Sequence, residues 1–123
     1  MSHILLIEDN QANADMMIHI LTSAGYEIRH FIRGLEGVKD ARHNKPDLIL
    51  LDFNLPDVDG RTLALSLRKQ MAADSVPIVA CTARTGAMEA ALAKQFGCSA
   101  FLPKPFDSSD LLDVVASFLK TRT

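Results

Sequence analysis

Leu48-Ile49-Leu50-Leu51 is an unbroken apolar run, and Asp52 ends it. Four consecutive apolar residues without alternation suit a strand buried on both faces, as in a parallel sheet. Beyond Asp52 the chain reads Asn54, Pro56, Asp57, Asp59 and Gly60, which are loop and turn residues. A carboxylate therefore sits at the carboxyl end of a central strand, the edge where open α/β sheets place their ligands. Alone, Asp52 has a plainer reading as well: it stops the strand and caps a turn.

The rest of the chain repeats the pattern. Residues 3–7 (His-Ile-Leu-Leu-Ile) read as a second buried strand, ending in Glu8-Asp9-Asn10. Asn10 can cap a following helix carrying Met16, Met17, Ile20, Leu21 and Ala24, which Gly25 closes. Tyr26 to Ile32 has mixed polarity and suits an edge strand, and Gly34 to His43 is a short helix. Arg61 to Met71 is helical, with Leu63, Ala64, Leu65 and Leu67 expected on its inner side. Ile78 to Cys81 is another apolar strand, ending at Thr82, and residues 86–96 form an alanine-rich helix closed by Gly97. A last short strand, Ala100-Phe101-Leu102, runs into Pro103-Lys104-Pro105, and Asp107 or Ser108 can cap a final helix. Strand and helix alternate five times, which predicts a parallel sheet with helices on both faces and right-handed crossovers.

Composition removes several classes of function. With 123 residues and 48% apolar content, the chain suits one domain, 1–123, that needs neither metal nor disulfide to build a core. A net charge of −2 gives no electrostatic footprint for nucleic acid. Cys81 and Cys98 are too far apart for a CxxC motif and too few for a four-cysteine zinc site. Free thiols, no apolar run of membrane length and no basic leader together suggest a cytoplasmic protein without membrane attachment. His3, His19, His30 and His43 lack metal-ligand spacing and suit surface or packing roles.

In a parallel sheet every strand's carboxyl end points the same way. That edge would gather Glu8, Asp9, Asp52, Asn54, Thr82 and Lys104. If the order is 2-1-3-4-5, the strands carrying Glu8-Asp9 and Asp52 are neighbours. Two unit charges about 4 Å apart repel by roughly 4 kcal/mol at an effective dielectric near 20. A hard divalent cation, Mg2+ or Mn2+, offsets this, and protonation of one carboxyl is the alternative. Asp9 would ligate directly and Glu8 directly or through water, with Asp52 and the backbone carbonyl of Asn54 completing the set. A hydroxyl, an ammonium and a cation around one carboxylate form a cradle for a tetrahedral anion. Phosphoryl transfer needs this neutralisation and positioning. Asp52 would be the nucleophile, forming an acyl phosphate, with Thr82 and Lys104 each taking a phosphoryl oxygen.

With these residues in view, the whole chain resembles the response-regulator receiver domain of two-component signalling. The marks are Glu8-Asp9, Asp52-x-x-x-Pro56-x-x-x-Gly60, Thr82-Ala83 and Lys104-Pro105, in order and each at a strand end. The resemblance implies a doubly wound five-stranded parallel sheet of order 2-1-3-4-5 with five helices, the flavodoxin-like arrangement. It implies phosphorylation of Asp52 by a sensor histidine kinase or histidine phosphotransfer protein, or by small phosphodonors, with Mg2+ required. It also implies slow self-dephosphorylation, so the chain is a phosphoacceptor rather than a turnover enzyme. Thr82 and Phe101 would form the switch, altering the surface of the fourth helix, fifth strand and fifth helix. Asn54 and Arg84 would tune attack by water. The Lys104–Pro105 peptide would be cis. Ala12, Asn13, Met16, His19, Ile20 and Phe106 are candidates for choosing the partner, and the chain would be a monomer or weak dimer without an attached output domain.

Other readings share the topology. A flavin or nucleotide binder needs a phosphate-cradling loop of small residues after the first strand, but Glu8-Asp9-Asn10 stands there. An aspartate-nucleophile phosphohydrolase commonly carries a second aspartate two residues on, but position 54 is Asn. A receiver-like module that binds proteins without phosphorylation is the remaining alternative.

Overall fold

The computed structural model describes residues 3–53, 55, 59–70, 76–82, 91 and 94–119. Five strands form one sheet: β1 (Ile4–Ile7), β2 (Ile28–Phe31), β3 (Leu48–Asp52), β4 (Ile78–Thr82) and β5 (Ala100–Pro103). The order is β2-β1-β3-β4-β5, and every pairing is parallel. The helices are α1 (Gln11–Ser23), α2 (Gly34–His43), α3 (Gly60–Gln70) and a C-terminal helix (Ser108–Phe118). The helix expected over residues 86–96 lies largely outside the described residues. Among its described positions, 91, 94 and 95 are helical.

Strand alternation sorts the core into two layers. Leu5, Ile7, Ile49, Leu51, Ile78 and Ala80 face α2 and α3, meeting Val38, Ala41, Leu63, Ala64 and Leu67. Ile4, Leu6, Leu48, Leu50, Val79 and Cys81 face α1 and the C-terminal helix, meeting Ala14, Met17, Leu21, Leu111 and Val115. The central strands β1, β3 and β4 are buried throughout, whereas β2 is half-buried, as its mixed polarity predicts for an edge. Burying a leucine or isoleucine side chain contributes about 1.5–3 kcal/mol, so these two layers hold the sheet together.

The expected helix signals operate. Asn10 caps α1 by accepting from the Asn13 N–H at 2.9 Å. Gly25, at φ 97°, turns the chain out of α1. Three expectations need correction. The strand expected over Tyr26–Ile32 is only Ile28–Phe31, because the turn after Gly25 uses Tyr26 and the chain leaves the sheet at Ile32, which is exposed. His3 also lies just outside β1. Leu65 does not join the inner side of α3 but is 40% exposed. It stands two residues from Leu63, about 200° around a helix, so the two cannot share a face.

Gly60 opens α3 directly beneath the end of β3. A Cβ there would run into the Phe53 backbone and lie 3.0 Å from the Asp52 carbonyl oxygen. Only glycine permits this close approach.

Candidate functional site

The register sets the site. Ile7 pairs with Leu51, so the next residues, Glu8 and Asp52, lie side by side where β1 and β3 end. The Phe53 N–H donates to the Cys81 carbonyl at 2.9 Å, prolonging the ladder past Asp52 and fixing its backbone. Glu8 and Asp52 are almost fully buried, at 1% and 2% exposure. Asp9 is half-buried. Glu8, Asp9 and Asp52 each offer a carboxylate oxygen, and these atoms all lie within 4.8 Å of one another.

Among the described residues, one cation reaches this cluster. Lys104 Nζ lies 3.1 Å from Glu8 Oε1 and 3.3 Å from Asp52 Oδ1. Lys104 follows the edge strand β5, and its N–H donates to the Thr82 carbonyl at 2.8 Å, which ties it to the end of β4. The Lys104–Pro105 peptide is cis. Glu8 Oε2 accepts from the Asn10 N–H at 3.2 Å, so both of its carboxylate oxygens are engaged.

The electrostatics follow from this crowding. Burial pushes the Asp9 carboxyl above the usual aspartate range, and its hydrogen bond with Asp52 and the Asp52 charge push it further. Burial draws the Lys104 ammonium down, but the Asp52 charge, together with the hydrogen bond to and charge of Glu8, outweighs it. The net shift is upward and the lysine stays charged. Among the described residues, one lysine faces three carboxylates, which leaves the cluster short of positive charge. An all-oxygen donor set of this kind suits a hard divalent cation such as Mg2+ or Mn2+ better than zinc. Among the described residues, Glu8, Asp9 and Asp52 could hold it.

Thr82 ends β4, one strand over from Asp52, and is buried. Phe101 is half-buried against the layer beneath α2 and α3. Asn54 and Arg84 lie outside the described residues, as do Pro56 and Ala83. Of the α1 positions singled out, Ala12, Met16 and His19 are exposed, while Asn13 and Ile20 are half-buried. Phe106 is half-buried against the layer beneath α1 and the C-terminal helix. Met17 is core and Met16 is surface, as adjacent helical residues must divide. Cys81 is buried, and burial pushes its thiol up to about 12, so it is inert packing at neutral pH.

His30 is the residue at this edge that sequence reasoning left among surface and packing positions. Its Nε2 lies 2.8 Å from the Glu8 carbonyl oxygen. Nothing in the spacing of residues 8 and 30 announces the contact; it follows from the register that pairs Leu6 with His30.

This arrangement has known counterparts. Residues 4–116 match the sequence profile of the response regulator receiver domain. The polar-differentiation response regulator DivK of Brucella anthropi is 30% identical over 116 residues, which cover 94% of each chain. The chemotaxis response regulator CheY4 of Vibrio cholerae superposes with a TM-score of 0.90 at 28% identity, covering 97% of this chain and 99% of that one. The receiver domain of a sensor histidine kinase from Pseudomonas aeruginosa superposes with a TM-score of 0.86 at 32% identity, covering 95% and 96%. That structure has a magnesium ion coordinated in its active-site cleft. Sheet order, strand-end acids and a profile spanning nearly the whole chain agree, and the chain belongs to the response-regulator receiver domains of two-component signalling.

Proposed function

We propose that the chain accepts a phosphoryl group on Asp52 from a phosphohistidine of a sensor histidine kinase or histidine phosphotransfer protein. The observation that carries this reading is the buried Asp52 carboxylate at the end of a central strand, 3.3 Å from the Lys104 ammonium and clustered with Glu8 and Asp9. An Asp52 oxygen attacks phosphorus as the P–N bond breaks. The electron pair leaves on the imidazole nitrogen, which takes a proton from solvent. Lys104 exchanges its contact with Asp52 for a phosphoryl oxygen, and the Thr82 hydroxyl donates to another. Glu8, Asp9 and Asp52 would hold Mg2+ or Mn2+, which when bound would supply the remaining positive charge that the transferring group requires. Output is a change of surface linked to Thr82 and Phe101, a two-state element biased by one new charge.

The test is intact-mass measurement after incubation with Mg2+ and acetyl phosphate or phosphoramidate, with Asp52→Ala alongside. The expected result is one added phosphoryl group, lost on chelation of Mg2+ or in the variant. No adduct from either donor, together with no binding of beryllofluoride, would overturn the phosphoacceptor reading in favour of a module that binds proteins without phosphorylation.

A further inference from the structure

β2 and β1 part company at the site. Ladder bonds run from the Ile4 N–H to the Glu27 carbonyl and from the Glu8 N–H to the Phe31 carbonyl. The even, every-second-residue spacing of a parallel ladder would next call on the Arg33 N–H to serve the Glu8 carbonyl. Arg33 instead precedes α2, whose first residue is Gly34. The Glu8 carbonyl is thus the first acceptor past the end of the β1–β2 ladder. A buried carbonyl without a donor is destabilising. The donor comes from a side chain, with His30 Nε2 at 2.8 Å. Because a carbonyl only accepts, the proton is on Nε2.

This contact acts on more than the backbone. The Glu8 carboxylate is already held at both oxygens, by Lys104 and by the Asn10 N–H. The peptide that joins Glu8 to Asp9 is held through its carbonyl by His30. The direction in which Asp9 leaves β1 depends on that peptide plane. We propose that His30 is a positioning residue: its Nε2–H fixes the Glu8–Asp9 peptide and so pre-sets the acidic pair to receive a divalent cation. The inference rests on the reading of Glu8, Asp9 and Asp52 as a Mg2+ site. Partners that orient metal-holding residues from behind typically contribute tenfold or more to metal affinity.

The test is titration of the full chain with Mg2+ alone, followed by amide chemical shifts, for wild type, His30→Phe and His30→Gln. Phe keeps the ring and removes the donor, while Gln discards the ring but offers an N–H at similar reach. The expected result is a Mg2+ Kd about tenfold weaker for His30→Phe and within about twofold of wild type for His30→Gln, at matched thermal midpoints without Mg2+. If His30→Phe fails to fold, His30→Leu, which also lacks a donor, takes its place. Equal affinity in wild type and the donorless variant overturns the inference. So does an equal loss in His30→Gln, which would assign the effect to ring packing. Wild type that binds no Mg2+ would overturn the site reading itself, a result separable from the other two.

Discussion

Asp9 shows what one residue gains and loses at a crowded edge. Its carboxyl is held above the usual range by burial first and by Asp52 second, so the folded chain binds that proton more tightly than the unfolded chain. A raised carboxyl pKa means that ionisation opposes folding. The resulting destabilisation is absent in acid, grows as pH rises through the carboxylate range and is complete at neutral pH. Asp9→Asn removes that charge. Its thermal midpoint without Mg2+ is expected to rise by about 2–4 °C at neutral pH, measured by circular dichroism. Added Mg2+ raises the wild-type midpoint and leaves the variant's little changed. A variant that melts at or below the wild type would mean that repulsion is not what burdens the site. The convergence of Glu8, Asp9, Asp52 and Lys104 was legible in the sequence because each ends or follows an apolar run, and parallel topology gathers such ends. The sharing of Lys104 between Glu8 and Asp52 was not legible, nor was the His30 contact, since both depend on side-chain reach across strands.

Individual elements were readable wherever local chemistry alone decides them. Gly34–His43 was legible to the residue, and Asn10 and Gly25 bound α1 as expected. The sequence left two candidates for the cap of the C-terminal helix. The structure chooses Asp107, whose side chain accepts from the Asp110 N–H at 2.8 Å while Asp110 accepts from the Asp107 N–H at 3.1 Å. Asp107→Ala is expected to cost about 1 kcal/mol in urea unfolding, whereas Ser108→Ala costs less than about 0.5 kcal/mol. Equal costs would show that the reciprocal cap contributes nothing special. Misreadings arose where composition carries no direction. Leu65 is as apolar as Leu63 but points outward, and Ile32 continues an apolar pattern after the chain has left the sheet.

Across the whole molecule the two edges of the sheet differ. The carboxyl edge collects carboxylates, while the amino edge holds His3, whose buried Nε2 has no hydrogen-bond partner. Burial lowers the His3 pKa, the Arg29 charge lowers it further, and Asp40, Asp47 and Glu27 oppose them without prevailing. The unfolded chain therefore binds this proton more tightly. His3 contributes stability that is complete above its ordinary value of 6.5 and is lost as pH falls through its lower folded value. Asp40, drawn down chiefly by its hydrogen bond from Arg29, acts in the same direction but only as pH falls below the aspartate range. Urea midpoints at pH 7.5 and 5.5 are expected to fall in wild type and to fall less in His3→Gln; identical slopes would remove His3 as the cause. The alternation of strands and helices made the parallel sheet legible, while the strand order 2-1-3-4-5 came from the family resemblance and is the order observed. Gly60 carries this design into inheritance. Because its missing Cβ is what lets α3 begin against Phe53 and the Asp52 carbonyl, copies of this gene can drift at Leu35 or Leu65, which face solvent, yet have almost no alternative at position 60.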